Sequence, residues 1–130
     1  MTEFVWPVRV YWEDTDAGGV VYYANYLKFL ERARSEWLRS LGFEQDAMAA
    51  RDGVLFVVRR VQADYLAPAR FNDLLSVSSR MLEVGRASLV MAQRVEREAV
   101  PLLEAEVRVA CVGAHDFRPA RIPAHIRERF

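Results

Sequence analysis

Apolar side chains recur with helical spacing between residues 25 and 41. They stand at i, i+3, i+4, i+7, i+11 and i+15, namely Tyr26, Phe29, Leu30, Ala33, Trp37 and Leu41. Charged and polar residues fill the positions between them, which is the pattern of an amphipathic helix packed on a core. Asn25 is predicted to cap the start of this helix, and Gly42 is predicted to end it.

Most other apolar residues alternate with polar ones, and this period of two predicts β-strands. We predict a short helical turn at 44–51 and strands at residues 4–12, 55–66, 74–82, 87–97 and 101–111. One long helix and about five strands, joined mostly by hairpin-length turns, indicate an α+β fold. The strands should form an antiparallel sheet that curls around the helix and leaves at least one open edge.

The alternation also predicts which side chains share a face of the sheet. In the first strand these are Val8, Val10 and Trp12. In the second strand they are Val57, Val61, Ala63 and Tyr65.

Length and charge narrow the class of protein. The 130 residues are enough for one domain, 1–130, and the 18 basic and 18 acidic side chains balance. The chain therefore carries no net positive charge that would attract nucleic acid or an anionic membrane. We find no signal-peptide pattern and no apolar run near the roughly 20 residues of a membrane span, so a cytoplasmic location is expected.

The metal-binding residue types are scarce. The chain has one cysteine, Cys111, and two histidines, His115 and His125. An internal disulfide is excluded, and a zinc site is not expected. Cys111 lies on an apolar face of its strand and is predicted to be a small core residue.

The stretch "EDTDAGGVVYYANY" at residues 13–26 has two interpretations. Asp, Thr and Gly are ordinary turn residues, so it can be a surface loop. It can also be an active site, because Gly18 and Gly19 permit close approach of a ligand and the following helix offers unpaired N–H groups. A carboxylate near such amides suits acyl transfer, either by attacking a carbonyl or by activating water.

Four blocks of this sequence together resemble a known family. They are "YWEDTDAGGVVYYANYLKFLERARSEWL", "VVRRVQADYLAPARFNDLL", "GRASLVMAQRV" and "LLEAEVRVACV", and they cover nearly the whole chain in order. The chain resembles the hotdog-fold thioesterases of the 4-hydroxybenzoyl-CoA thioesterase type. Within them it is most similar to the Tol-Pal-associated, YbgC-type acyl-CoA thioesterases.

The resemblance implies the fold and the reaction. A five- or six-stranded antiparallel sheet would wrap the long helix, and subunits would join edge to edge as a homodimer or homotetramer with active sites at the interface. The substrate would be an acyl-CoA, with acyl carrier protein as a possible partner and with no metal or redox cofactor. A hotdog dehydratase is a lesser alternative, because neither histidine is near the loop. A non-catalytic acyl-binding or Tol-Pal-associated module is the alternative of another class.

The resemblance also assigns roles to individual residues. The catalytic carboxylate falls on Asp16, as nucleophile or general base, and the oxyanion donor falls on the backbone N–H of Tyr23. Glu31 takes the position of a substrate-lining acid. Gly19 and Tyr22 are predicted to contact the substrate, and Tyr22 and Tyr23 are expected to cover Asp16. Many YbgC-type members have histidine where this chain has Tyr23, which leaves the choice of acyl group open.

Overall fold

The computed structural model describes residues 3–130 of the chain. Its helices are α1 (Tyr26–Ser40), α2 (Gln45–Arg51) and α3 (Ala124–Arg127), and short 3-10 turns span Trp12–Asp14 and Tyr23–Asn25. Its strands are β1 (Phe4–Arg9), β2 (Val54–Tyr65), β3 (Leu74–Val84), β4 (Ser88–Arg97) and β5 (Val100–Gly113). Among the described helices, none is long and apolar enough to cross a membrane.

The five strands form one antiparallel sheet in the order β1-β3-β4-β5-β2. Consecutive strands β3, β4 and β5 pair as hairpins, while β1 and β2 lie at the two edges. The predicted α+β class and the antiparallel sheet are confirmed. The sheet therefore ends in two open strands, and β2 is the longer of them.

The core lies between α1 and one face of the sheet. On α1 the fully buried side chains are Phe29, Leu30 and Ala33, as the helical spacing predicted. On the strands they include Leu75, Val77, Val95, Leu103 and Val107. Full burial of each large aliphatic or aromatic side chain contributes roughly 1.5–3 kcal/mol, so the sheet holds α1 in place along this stripe.

The predicted end of α1 is confirmed, and Asn25 occupies the predicted N-cap position, but its side chain does not cap the helix. Gly42 follows the helix with φ +93°, a left-handed conformation that suits glycine. Asn25 has helical backbone angles, and its side chain makes no cap hydrogen bond. The Asn25 amide nitrogen donates to the buried Asp14 carboxylate at 2.9 Å, so the side chain joins the start of α1 to the loop before it.

The first strand is shorter than predicted. It ends at Arg9, and the Asp14 carboxylate accepts the N–H of Tyr11 at 2.8 Å, which bends the chain into the first 3-10 turn. Trp12 consequently leaves the face it was predicted to share with Val8 and Val10. It is 73% exposed and stacks on Phe71 with ring centroids 3.7 Å apart.

The face predicted for β2 is correct only in part. Val61, Ala63 and Tyr65 pair with inward-facing positions of β5, as predicted. The pairing register shifts between Val58 and Arg60, so an extra residue reverses the alternation. Before the shift, Phe56 therefore lies on the inner face and packs against the core. Val57 points to the outer face, opposite to the prediction.

Candidate active site

The loop between the first 3-10 turn and α1 is a small hairpin. Thr15 bridges Val21, and the N–H of Asp16 donates to the carbonyl of Val20 at 3.0 Å. Gly19 closes the turn with φ +77° and donates its N–H to the Asp16 carbonyl at 3.0 Å. The turn needs glycine at this point because other residues rarely adopt that backbone conformation.

The Asp16 carboxylate lies at the tip of this hairpin. Its Oδ1 accepts the N–H of Gly18 at 2.8 Å. A Cβ at position 18 would lie 3.2 Å from the same oxygen, so a side chain there would crowd the acid. Asp16 is exposed in the chain described here. Its second oxygen is therefore open to solvent or to a substrate.

Residues 69 and 70 pair with the second arm of the hairpin and hold it in place. Val20 bridges Arg70, and the N–H of Val21 donates to the carbonyl of Ala69 at 2.8 Å. The N–H of Ala69 in turn donates to the buried Tyr26 hydroxyl at 3.0 Å. Burial raises the pKa of this Tyr26 phenol, so it stays protonated. The first turn of α1 and the hairpin are thereby fixed to one another.

Asp14, the first acid of the pair, has a structural role. Its side chain is 4% exposed, and its two oxygens accept hydrogen bonds from the Tyr11 N–H and the Asn25 amide. Its carbonyl accepts the N–H of Tyr22 at 3.0 Å. Both oxygens of this carboxylate are thus engaged in holding the loop, which leaves Asp16 as the acid available for chemistry.

The two tyrosines do not bury Asp16 in this chain. Tyr22 is 49% exposed and Tyr23 is 63% exposed, with ring centroids 4.8 Å apart. The apolar run turns inward only at Val21, which is 4% exposed. Interaction with the Tyr23 phenol is the main cause that raises the pKa of Tyr22, and the nearby charge of Asp16 adds to it.

The backbone at Tyr23 offers an oxyanion donor. Tyr23 begins the 3-10 turn that leads into α1, and no acceptor among residues 3–130 is hydrogen-bonded to its N–H. The Tyr65 hydroxyl donates to the Tyr23 carbonyl at 2.8 Å, which fixes the next peptide plane. Sequence reasoning gave Tyr65 no chemical role; its place on the inner face of β2 was the available signal.

The remaining candidate, Glu31, lies elsewhere. Tyr23 lines an open groove of about 300 Å³ together with Tyr26, Tyr65 and Leu66. Glu31 lines a second cavity, of about 150 Å³, further along α1, and accepts a hydrogen bond from Ser35 at 3.1 Å. A larger hollow, of about 910 Å³, lies on the outer face of the sheet, and its lining contains none of the candidates. Asp16, Gly19, Tyr22 and Tyr23 therefore share one short segment, and Glu31 lies apart from them.

Comparisons with known proteins bear on this site. The model of the family described as "Thioesterase superfamily" matches residues 18–104. The acyl-CoA thioester hydrolase YbgC of Escherichia coli O6:H1 is 48% identical over 130 residues, which cover 99% of this chain and 96% of that protein. The acyl-CoA thioesterase YbgC of Haemophilus influenzae is 44% identical over 127 residues, covering 98% and 93% of the two chains.

Solved structures agree on the fold. A probable thioesterase from Bartonella henselae has a TM-score of 0.90 at 35% identity, covering 94% of this chain and 100% of that one. A mutant 4-hydroxybenzoyl CoA thioesterase has a TM-score of 0.91 at 19% identity, covering 98% and 97%, and this likeness speaks for the fold alone. The predicted hotdog fold is confirmed.

Proposed function

The chain belongs to the thioesterase superfamily, and from this premise we propose that it hydrolyses the thioester bond of acyl-CoA to the free acid and coenzyme A. The relatives that it matches over almost their whole length carry that activity in their names. The observation that supports the reaction most directly is local. The exposed Asp16 carboxylate stands in the short hairpin that leads to Tyr23, whose N–H has no acceptor among residues 3–130.

Asp16 supplies the negative charge that the reaction requires. As a nucleophile it adds to the thioester carbon, expels the thiolate and forms a mixed anhydride that water then opens. As a general base it takes a proton from water, whose oxygen adds to the same carbon. In either route the thiolate leaves as coenzyme A after gaining a proton. The Tyr23 N–H stabilises the charge that develops on the carbonyl oxygen.

The substrate contacts follow from the same placement. Gly19, which has no side chain and nothing within 4 Å of its Cβ position, leaves room for the thioester beside the hairpin. The exposed ring of Tyr22 offers an apolar wall. Glu31 meets the acyl group further along α1. The thioester can be carried by coenzyme A or by acyl carrier protein, and we place the reaction in the cytoplasm.

Replacement of Asp16 by asparagine tests the proposal. Thiol release from a panel of short, long and hydroxybenzoyl CoA thioesters should show kcat reduced by roughly 10²–10⁴-fold, because the amide is neither base nor nucleophile. Glu13→Gln is the matched control, since Glu13 is an exposed acid three residues away. Turnover unchanged in Asp16→Asn would remove Asp16 from the mechanism. Retention of acyl-CoA without turnover by the unmodified protein would favour the binding-module alternative.

We further propose that the protein is a homodimer or homotetramer joined through β2. This strand is an open edge, and the apolar side chains Val58, Tyr65 and Leu66 at or beside it are 47%, 48% and 52% exposed. Unpaired edge strands with exposed apolar residues are templates for pairing.

Light scattering should give a mass of two or four 15.0 kDa chains, and Val58→Arg should lower it. Val5→Arg is the matched control, because Val5 is 51% exposed on β1 at the opposite edge of the sheet, and this variant should keep the mass of the unmodified protein. A monomer at micromolar concentration would contradict the assembly.

A further inference from the structure

The cavity beside Glu31 has one polar wall in an otherwise apolar lining. It lies between α1 and the inner face of the sheet and holds about 150 Å³. Its apolar walls include Trp37, Leu38, Phe56, Leu89, Met91 and Val109. Its polar wall comes from one face of α1, where Glu31, Arg34 and Ser35 follow one another at helical spacing. Gln45 at the start of α2 completes this wall and donates to the Ser35 hydroxyl at 2.9 Å. The Arg34 guanidinium, a cation, therefore lines a cavity whose other walls are mostly apolar.

A buried glutamine holds Arg34 in this wall. The Arg34 Nη1 donates to Gln93 Oε1 at 3.0 Å, and Gln93 is 2% exposed. The Gln93 amide nitrogen donates to the carbonyl of Leu30 at 3.0 Å and to the Ser79 hydroxyl at 2.9 Å. These two bonds fix which end of the glutamine amide faces Arg34. The orientation of the guanidinium is thus set by groups in the core.

Arg34 has no acid partner among the described residues. Glu31, one helical turn away, receives its hydrogen bond from Ser35 and forms no ion pair with Arg34. Burial lowers the pKa of Arg34, and the charge of Glu31 opposes this effect only in part. A guanidinium has five N–H donors, and within residues 3–130 Arg34 uses one. Arg34 is half-buried, so its guanidinium is partly desolvated, and a ligand that supplies acceptors would offset that cost.

We propose that this cavity receives the distal end of the acyl group, and that Arg34 selects acyl groups ending in an oxygen acceptor, such as a carboxylate or a hydroxyl. The inference rests on the proposed function, which puts the thioester at the start of α1. Arg34 lies eight residues beyond Tyr26 in the same helix, about 12 Å along its axis. Its side chain leans back toward the helix N-terminus, which shortens this span.

The same geometry predicts how acyl groups are discriminated. An oxygen at the distal end accepts the open N–H groups of Arg34, while the methylene chain packs on the apolar walls. A plain alkyl chain of equal length fills the cavity and leaves the guanidinium unpaired. Sites built to hydrogen-bond a substrate group discriminate strongly against analogues that lack it, because their own polar atoms are then left without partners.

Matched CoA thioesters test this inference. The kcat/KM values of adipyl-CoA, ω-hydroxyhexanoyl-CoA and hexanoyl-CoA are compared, with shorter and longer sets of the same kind. In the unmodified protein we expect at least one oxygen-ended substrate to exceed the alkyl substrate by about tenfold or more. In Arg34→Met this ratio should fall to about one. A preference for the carboxylate over the hydroxyl would indicate charge pairing, and the reverse preference would indicate repulsion of the carboxylate by Glu31; both support the role of Arg34.

Two further variants separate selection from a structural effect. Arg32→Met changes an exposed arginine on the same helix and should keep the ratio of the unmodified protein. Arg34→Lys keeps a cation and should retain part of the preference, and it serves in place of Arg34→Met if that variant does not fold. Equal or better turnover of the alkyl substrates by the unmodified protein, or a ratio that Arg34→Met leaves intact, would overturn the inference alone. Failure to hydrolyse any acyl-CoA would overturn the proposed function and the inference with it.

Discussion

Asp14 and Asp16 are two residues apart but occupy opposite environments. Asp14 is buried and holds Tyr11 and Asn25, whereas Asp16 is exposed at the tip of the hairpin. Both acids precede Gly18 and Gly19 in the same short segment, and their burial and hydrogen bonds distinguish them. At the scale of the residue, the proposed chemistry depends on which backbone N–H groups remain unpaired. Within the part of the chain that the structure describes, the N–H of Tyr23 is one of these.

Replacement of Tyr23 by proline tests the proposed oxyanion donor. Proline lacks an N–H, and the preceding Tyr22 already has φ −61° and ψ +135°, which suit a residue before proline. We expect kcat to fall by roughly 10²–10³-fold, as for the loss of one oxyanion donor, while the fold is retained.

Tyr23→Phe is the matched control for that variant. It keeps the N–H and loses only the hydroxyl, so steady-state thiol release should stay within about threefold of the unmodified protein. A large loss in Tyr23→Phe would show that the phenol takes part. Full activity in Tyr23→Pro, with circular dichroism unchanged, would exclude this N–H as the donor.

At the scale of the element, α1 is positioned by both apolar packing and one polar contact with the sheet. Phe29, Leu30 and Ala33 pack on the inner face, and Gln93 of β4 joins the helix carbonyl of Leu30 to Ser79 of β3. Such a buried network aligns the helix against the strands in one register. The stripe of apolar residues alone would allow small shifts along the helix.

Gln93→Leu should therefore destabilise the protein. The substitution leaves the Leu30 carbonyl, Ser79 and the Arg34 guanidinium without their shared partner, at a cost of about 2–4 kcal/mol in the free energy of unfolding. Urea denaturation followed by far-ultraviolet circular dichroism measures the loss. Gln62→Leu on the exposed outer face is the control and should stay within about 0.5 kcal/mol. Equal stability of the two variants would mean that the network contributes nothing.

At the scale of the whole molecule, the core is continuous from the loop segment to the last helix. It includes Val21 beside the hairpin, Cys111 on β5, and Ile122 and Ile126 near the end of the chain. The hairpin that carries Asp16 is thus attached to the same core that fixes α1. Movement of the site relative to the sheet would require the loss of buried contacts.

The reactivity of Cys111 reports on this core. The residue is 0% exposed, and burial raises the pKa of its thiol to about 11. At pH 8 only about one thiol in a thousand would be the reactive thiolate, and the reagent must also reach it. We expect a disulfide exchange reagent to label the native protein at least about a hundredfold more slowly than the protein in urea. Immediate stoichiometric labelling of the native protein would show that the core opens readily.

The sequence by itself determined the α+β class, the limits of α1, the number and order of the strands, and the short segment that carries Asp16, Gly19, Tyr22 and Tyr23. Periodicity and glycine placement are local properties, so they can be found along the chain. The tertiary structure decided what depends on partners distant in sequence. The extra residue in β2 places Val57 on the outer face of the sheet. The Asn25 side chain hydrogen-bonds Asp14 and does not cap α1, and Trp12 stacks on Phe71 outside the sheet. Arg34, Gln93 and Tyr65 acquired their places because three strands meet one helix, and no spacing along the chain records that contact.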